Sequence, residues 1–346
     1  MVTVRTLIVG MGNLGRRFCD ILVAKERLLR EEYGVSVLLV GASDSRGSAY
    51  SPDGLDPALL SRIKLEGGSV GDYPGFGRPG WSARDLVASV DADLLIEATP
   101  VNIDDGARPA IDCIRLALNK GMNVITPNKG PMVLAYRELM NLARRNGVEL
   151  RFDGTVAGGL PAVSLGRRDL RGAVIYRLEA VPNLVTGFIL DRIAEGAGMD
   201  SALDEARAAG DLEADPSWDI QGWDAAAKLV ILSNAVLGYP ATLDDVSVKA
   251  IESLAADTNK LREAYGRGMK YRLLASAVME NGGEYRLTVE PVLLPADHPF
   301  GRLGSRQMGV LYETDIYGTI VAIIEEKTPL PSAASILRDL LEIYGQ

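Results

Sequence analysis

The sequence predicts an α/β protein of two parts: a doubly wound parallel sheet over residues 1–152, completed by a C-terminal helix at 331–346, and an α+β domain over 153–330. Three observations predict it. The chain opens with a strand, a glycine turn and a helix; strands and helices then alternate as far as Phe152; and the composition changes at a glycine-rich stretch beginning at Asp153. A chain of 346 residues is long enough for each part to bury its own core.

Val4 to Val9 is β-rich and leads into Gly10-Met11-Gly12-Asn13-Leu14-Gly15, then a helix with Leu14, Phe18, Ile21, Leu22, Leu28 and Leu29 on its inner side. In this context the glycines have separate uses. The first permits the turn, the second admits a pyrophosphate against the backbone, and the third lets helix and strand pack closely. The helix N-terminus faces the anion. The first part therefore reads as a Rossmann-like, doubly wound nucleotide-binding domain. A second strand, Val35 to Ala42, ends at Ser43-Asp44-Ser45-Arg46, where such folds read the adenosine ribose. An acid there suits the free hydroxyl of NAD and a cation suits the phosphate of NADP, so Asp44 and Arg46 conflict, and either serves equally as a turn residue.

Ser48 to Gly80 reads as a surface excursion around one helix, Pro57 to Lys64. Ser82 and Asp85 have the form of a capping box before a helix and the strand Asp93–Ala98. That strand ends in Thr99-Pro100, beyond the carboxyl edge of the sheet where ligands bind. A helix from Ala107 to Asn119, the strand Asn123–Ile125 and the turn Thr126-Pro127-Asn128-Lys129 follow, which puts Lys129 on the same rim as Gly12 and Thr99. A helix from Pro131 to Arg145 and a strand from Val148 to Phe152 complete the alternation.

Asp153-Gly154-Thr155-Val156-Ala157-Gly158-Gly159-Leu160-Pro161 reads as a hinge. Beyond it Ala173–Val181 is a strand, Val185–Ala194 and Ser201–Ala209 are helices, and helical segments run from the acidic stretch to about Met279, with Lys260, Arg262, Arg267, Lys270 and Arg272 on a solvated basic face. Three strands follow, near Tyr285–Leu293, Gly309–Thr314 and Gly318–Ile324, and Ser332 caps a last helix.

Glu213, Asp215, Asp219 and Asp224 fall within twelve residues, on a segment that Pro216 and Gly222 keep from forming a continuous helix. The run A-A-A-K-L-V-I-L-S-N-A-V-L-G after them is helical, apolar on all sides, and carries one charge, Lys228. An ammonium inside a protein needs a partner or a task. Asp224 stands one turn earlier on the same face; as an isolated pair the two would contribute only about 0.3–0.5 kcal/mol. The apolar surround and the further carboxylates instead suit a substrate bearing an ammonium group.

The net charge of −9 argues against nucleic acid and anionic membrane as partners. The chain offers no stretch of eighteen uncharged apolar residues and starts directly on a strand, which predicts a cytoplasmic protein. Cys19 and Cys113 are too few for a disulfide framework or a zinc site, and the lone His298 has no nearby nucleophile or ligand spacing.

The glycine turn, T-P-N-K, A-G-G-L-P and E-x-D-P-x-x-D-x-x-G-x-D-x-x-x-K occur in this order, and with them the chain resembles homoserine dehydrogenase over nearly its full length. The resemblance implies NAD or NADP as cofactor, an amino-acid substrate, a homodimer, and a sodium-like monovalent cation near the hinge. By the same resemblance Lys129 and Lys228 match the lysines around the reacting alcohol, and Asp224 orients Lys228. Glu213 and Asp219 hold the substrate with Thr186 and Gly158, while Gly10, Gly12, Asn13, Leu14, Gly15, Ser43, Asp44, Arg46, Thr99, Pro100, Asn128 and Lys129 line the cofactor. Asp153, Val156, Gly158 and Leu160 fall in register with the cation site, although Asp153 stands where Glu is usual. N-G-T-T-N-Y appears as Asn183-Leu184-Val185-Thr186-Gly187-Phe188, and Glu325 to Pro331 replaces a glycine-rich turn. With no regulatory extension after the last helix and no kinase domain before the first strand, feedback control by threonine has no obvious seat.

The expected reaction interconverts L-homoserine and L-aspartate 4-semialdehyde, with Lys129 favoured as acid/base and Lys228 as electrostatic partner or relay. Two alternatives stay open at this point: a dehydrogenase of another small amino-acid-derived substrate, and a nicotinamide-binding sensor without turnover. The three strands after Tyr285 suit a sheet shared across a two-fold axis.

Overall fold

The computed structural model describes residues 1–208 and 216–345. The chain divides into two compact units, Met1–Gly159 with Thr328–Gln346, and Leu160–Lys327. The first unit is built on a seven-stranded sheet of order β4-β3-β2-β1-β5-β6-β7. Its strands are β1 (Val2–Val9), β2 (Val35–Asp44), β3 (Gly47–Tyr50), β4 (Gly77–Pro79), β5 (Leu94–Glu97), β6 (Asn123–Ile125) and β7 (Leu150–Arg151). The run from β2 through β1 and β5 to β7 is parallel. Helices α1 (Asn13–Glu32), α2 (Pro57–Leu65), α3 (Ala83–Ser89), α4 (Ala110–Asn119) and α5 (Lys129–Asn146) connect the strands. Val4, Ile8, Phe18, Leu22, Leu94 and Ile96 form one core with Ile336 and Leu340 of the C-terminal helix, Leu330–Tyr344. That helix is pinned at its far end, where the Tyr344 hydroxyl accepts from Asn123 Nδ2 at 2.7 Å and donates to the Asp93 carbonyl at 3.0 Å.

Two expectations for this unit need correction. Residues 48–80 are more than a surface excursion, because β3 and β4 add two antiparallel strands to the sheet edge. Segments of four and three residues rich in Gly and Pro carry too little alternation to read as strands. Ser332 does not cap the last helix, which already begins at Leu330, where Thr328 Oγ1 accepts the Leu330 N–H at 3.3 Å.

The second unit opens with a short helical turn, α6 (Ala162–Ser164). It carries a six-stranded sheet of order β13-β12-β8-β10-β11-β9, from β8 (Ile175–Val181), β9 (Val246–Val248), β10 (Lys270–Met279), β11 (Tyr285–Leu294), β12 (Gln307–Thr314) and β13 (Thr319–Glu325). Every pairing is antiparallel except β11 with β9. Its other helices are α7 (Leu184–Glu195), α8 (Met199–Ala208), α9 (Ser217–Ile220), α10 (Trp223–Leu232), α11 (Glu252–Ala256) and α12 (Thr258–Gly266).

Here the helical reading as far as Met279 fails, since β10 lies inside the sheet. Its Leu273–Val278 stretch has no polar/apolar alternation and is rich in helix-forming Leu and Ala, so tertiary pairing overrode local propensity. The basic face survives only in part: Lys260, Arg262 and Arg267 are exposed, while Lys270 and Arg272 are drawn inward. Arg272 is 1% exposed, and its Nη1 and Nη2 each donate to an Asp191 oxygen at 2.9 Å, with a further bond from Nη2 to the Leu303 carbonyl. Lys270 joins the same carboxylate at 3.3 Å.

Candidate active site

In the first unit the predicted cofactor residues line the carboxyl ends of parallel strands. Gly10 leaves β1 at φ +94°, and a Cβ there would lie 2.3 Å from the Ala98 backbone; one on Gly15 would lie 2.2 Å from the Gly10 carbonyl. Neither position tolerates a side chain. Around Gly12 the space is open for 4 Å, and no side chain among the described residues caps α1. The N-terminal amides of α1, from Asn13 through Leu14 to Gly15, thus suit a diphosphate. Ser43 contributes its backbone, its carbonyl accepting from Gly10 N and Met11 N at 3.0 and 3.1 Å.

Thr99, Thr126 and Asn128 are joined beneath the rim by Glu97, a wholly buried carboxyl that sequence reasoning missed. Glu97 accepts from the Thr99 amide at 2.8 Å, from the Thr99 hydroxyl, and from Thr126 Oγ1 at 2.9 Å. Burial raises its pKa, while these donors pull it down. Asn128 Nδ2 donates to the Thr99 carbonyl at 3.2 Å, and its Oδ1 accepts the Gly130 amide at 3.0 Å as the cap of α5. Lys129 is therefore the first residue of that helix, two positions earlier than the predicted start. Pro100 is exposed beside Thr99.

Asp44 ends β2, and its carboxylate closes the turn that follows. It accepts from Lys64 Nζ at 2.6 Å, Ser69 Oγ at 2.9 Å and the amides of Val70, Arg46 and Gly47. These bonds, led among the lowering causes by Lys64, hold its carboxyl below the usual range against the opposing effect of burial. Arg46 reaches away to the Gly67 carbonyl at 2.8 Å.

In the second unit, Gly222 in the left-handed conformation separates α9 from α10 and brings Asp219 and Asp224 toward one side chain, Asn183. Asn183 Nδ2 donates to Asp219 Oδ1 at 2.5 Å and to Asp224 Oδ2 at 2.6 Å, while its Oδ1 caps α7 through the amides of Val185 and Thr186. Lys228 Nζ donates to Asp224 Oδ2 and to the Pro182 carbonyl, each at 2.7 Å. The side chains of Asp224 and Lys228 are 7% and 16% exposed, so the pair is desolvated as its apolar helix predicts. The Thr186 hydroxyl is buried beside this cluster without a hydrogen-bond partner among the described residues. Glu213 lies outside the described residues. Asn183 could have been found in the sequence as an Asn preceding an apolar helix, but its bridge between two acids more than thirty residues away could not.

The hinge does not fit a monovalent cation. Arg338 Nε donates to Asp153 Oδ2 at 2.8 Å, Nη2 approaches the same oxygen to 2.6 Å off the hydrogen-bond line, and Nη1 donates to the Gly159 carbonyl at 2.9 Å. The Leu160 carbonyl accepts Ala162 N, and that of Asp153 accepts Val156 N. Gly158 is left-handed at φ +58°. Asp153, the one charged group of the predicted site, thus already has a cation.

The family described as homoserine dehydrogenase matches residues 161–341. Homoserine dehydrogenase from Methanocaldococcus jannaschii is 35% identical over 340 residues, 98% of each chain. The chain belongs to the homoserine dehydrogenase family. The NAD(+)-dependent homoserine dehydrogenase of Pseudomonas canavaninivorans is 31% identical, covering 99% of this chain and 97% of its own. A putative homoserine dehydrogenase from Archaeoglobus fulgidus superposes with a TM-score of 0.87 at 32% identity over the whole of both chains. A hyperthermophilic archaeal homoserine dehydrogenase in complex with NADPH gives 0.84 at 28% identity, covering 99% and 98%. Like its relatives the chain is an NAD(P)-dependent oxidoreductase. No helix among the described residues is long and apolar enough to cross a membrane.

Proposed function

We propose that the chain interconverts L-homoserine and L-aspartate 4-semialdehyde, with the first unit holding NAD or NADP and the second holding the amino acid. The observation that carries this reading is the cluster in which Asn183 bridges Asp219 and Asp224 while Lys228 pairs with Asp224. A carboxylate held at a fixed position can bind the substrate ammonium and orient the rest of the molecule, which is where much of the rate in such reactions originates. Asp219 takes that role here, with Glu213 assigned beside it on the resemblance alone. The nicotinamide, when bound, supplies the acceptor for the hydride leaving C4. Lys129 takes the hydroxyl proton and returns it in the reverse direction, and Lys228, oriented by Asp224, stabilises the oxygen as its charge develops.

Absorbance at 340 nm with homoserine and each of NAD and NADP tests the reaction. Lys129→Ala and Lys228→Ala should each lower kcat by about 10²–10⁴-fold while cofactor binding survives. Near-normal turnover in both variants would remove the assignment.

We also propose a homodimer formed through the sheet of the second unit. Val321 and Ile323 on edge strand β13 are 37% and 46% exposed, an apolar edge that isolated proteins ordinarily protect. Light scattering at micromolar concentration should return twice the 37.1 kDa of the chain; a monomer would refute it.

A further inference from the structure

We infer that Arg338 is a built-in replacement for a hinge cation, so that the fold and activity of this protein are indifferent to sodium and potassium. Asp153 is a carboxylate 2% exposed on the loop that leaves the last strand of the first unit. A buried carboxylate requires a positive partner or a set of strong donors. One partner is a mobile ion gathered from solvent by Asp153 and nearby carbonyls. The structure instead supplies the charge covalently, from the C-terminal helix.

Three features of the guanidinium match that task. Nε and Nη2 both lie on Asp153 Oδ2, at 2.8 and 2.6 Å, which balances the charge. Nη1 reaches the Gly159 carbonyl at 2.9 Å, so one planar group spans the loop from its first residue to its last glycine, as a coordinated ion would. The neighbouring residue of the helix adds a second tie, Asp339 Oδ2 accepting the Asp153 amide at 3.1 Å. Close packing leaves the loop little freedom to re-form around another ion: a Cβ on Gly154 would lie 2.3 Å from Ser335 Oγ, and one on Gly159 would lie 2.6 Å from Pro331 Cβ. An added cation would also meet the fixed charge of Arg338 and be repelled.

This inference concerns the hinge and does not depend on the proposed substrate. Its test is the thermal midpoint of the substrate-free protein in sodium, potassium and choline chloride at equal ionic strength, with turnover measured alongside. The wild type should have the same midpoint within about 1 °C and the same kcat within about twofold in all three salts. Arg338→Gln and Arg338→Ala should lower the midpoint in choline and recover part of it as sodium is titrated in, with a saturable dependence. Arg338→Lys, which keeps the charge, should recover less. A wild type stabilised or activated specifically by sodium or potassium would overturn the inference. So would charge-free variants as stable in choline as the wild type, or destabilised variants that no alkali cation restores. Should those variants fail to fold in any salt, the wild-type salt series alone still decides, because indifference is required of it.

Discussion

Each unit gathers two carboxylates beside one basic side chain, yet the two groups are wired differently. In the second unit Asp219 and Asp224 are bridged by the amide of Asn183, and Lys228 attaches to Asp224 from one helical turn away. In the first unit Asp153 takes the guanidinium of Arg338, while Asp339 accepts the backbone amide of Asp153. Burial first, and then the charge of Asp153, push the Asp339 carboxyl up to about 8. The difference is the bridging amide. Where a neutral donor serves both acids, each carboxylate is held in place by a hydrogen bond and the lysine sits on one of them. Where the guanidinium is committed to one acid, burial and the charge of that acid favour the protonated form of the second.

The strongest way to break this contrast is to remove the bridge. Asn183→Ala takes a donor from two carboxylates at once, and hydrogen bonds to charged groups contribute about 1.5–3 kcal/mol each. The expected outcome is a fall in kcat/KM for homoserine on the order of 10–100-fold. Part of any loss could come from the missing helix cap, about 1 kcal/mol of stability. Asn183→Ser separates the two effects, since Ser caps a helix about as well as Asn does but is too short to bridge Asp219 and Asp224 and adds no charge beside them. Its thermal midpoint should stay nearer the wild type than that of the alanine variant, while its activity should fall nearly as far. Steady-state kinetics giving a fully active serine variant would show that the cap alone matters.

The same contrast explains what could be read from the chain alone. The rim of the first unit was legible because the fold makes it from backbone: Gly10, Gly15 and the loop ends at Thr99 and Asn128 are forced by turn geometry that residue types betray. The Asp224–Lys228 pair was legible because helical spacing fixes it. What escaped detection depends on contacts distant in sequence. Glu97 looked like one more residue of a strand, and only the fold brings the Thr99 and Thr126 hydroxyls onto it. Arg272 looked solvated until β10 proved to be a buried strand facing Asp191. The return of the last helix to the nucleotide-binding unit was legible, but nothing local in the sequence says that Arg338 on it meets residue 153. At Asp44 the strand-end position was legible, but the engagement of its carboxylate by Lys64 and Ser69, from the segment that follows, was not.

The smallest expected effect tests the other half of the contrast, the protonated acid, and appears in stability alone. Asp339 has a folded pKa raised from 3.8 to about 8, so between these values the native state holds a proton that the unfolded chain has released. The slope of unfolding free energy with pH is then negative, at most about 1.4 kcal/mol per pH unit for one proton. This contribution therefore lowers stability as pH rises from about 4, and ceases to change above about 8. The substitution Asp339→Asn installs a carboxamide of nearly the same shape, which can still accept the Asp153 amide and has no proton to lose. The variant's unfolding midpoint should consequently fall less than the wild type's between pH 5 and 8, by a few degrees on this account, with kcat little changed. Parallel midpoint curves for the two proteins would mean that Asp339 is ionised in the fold after all, and that Arg338 serves both acids much as Asn183 serves its own pair.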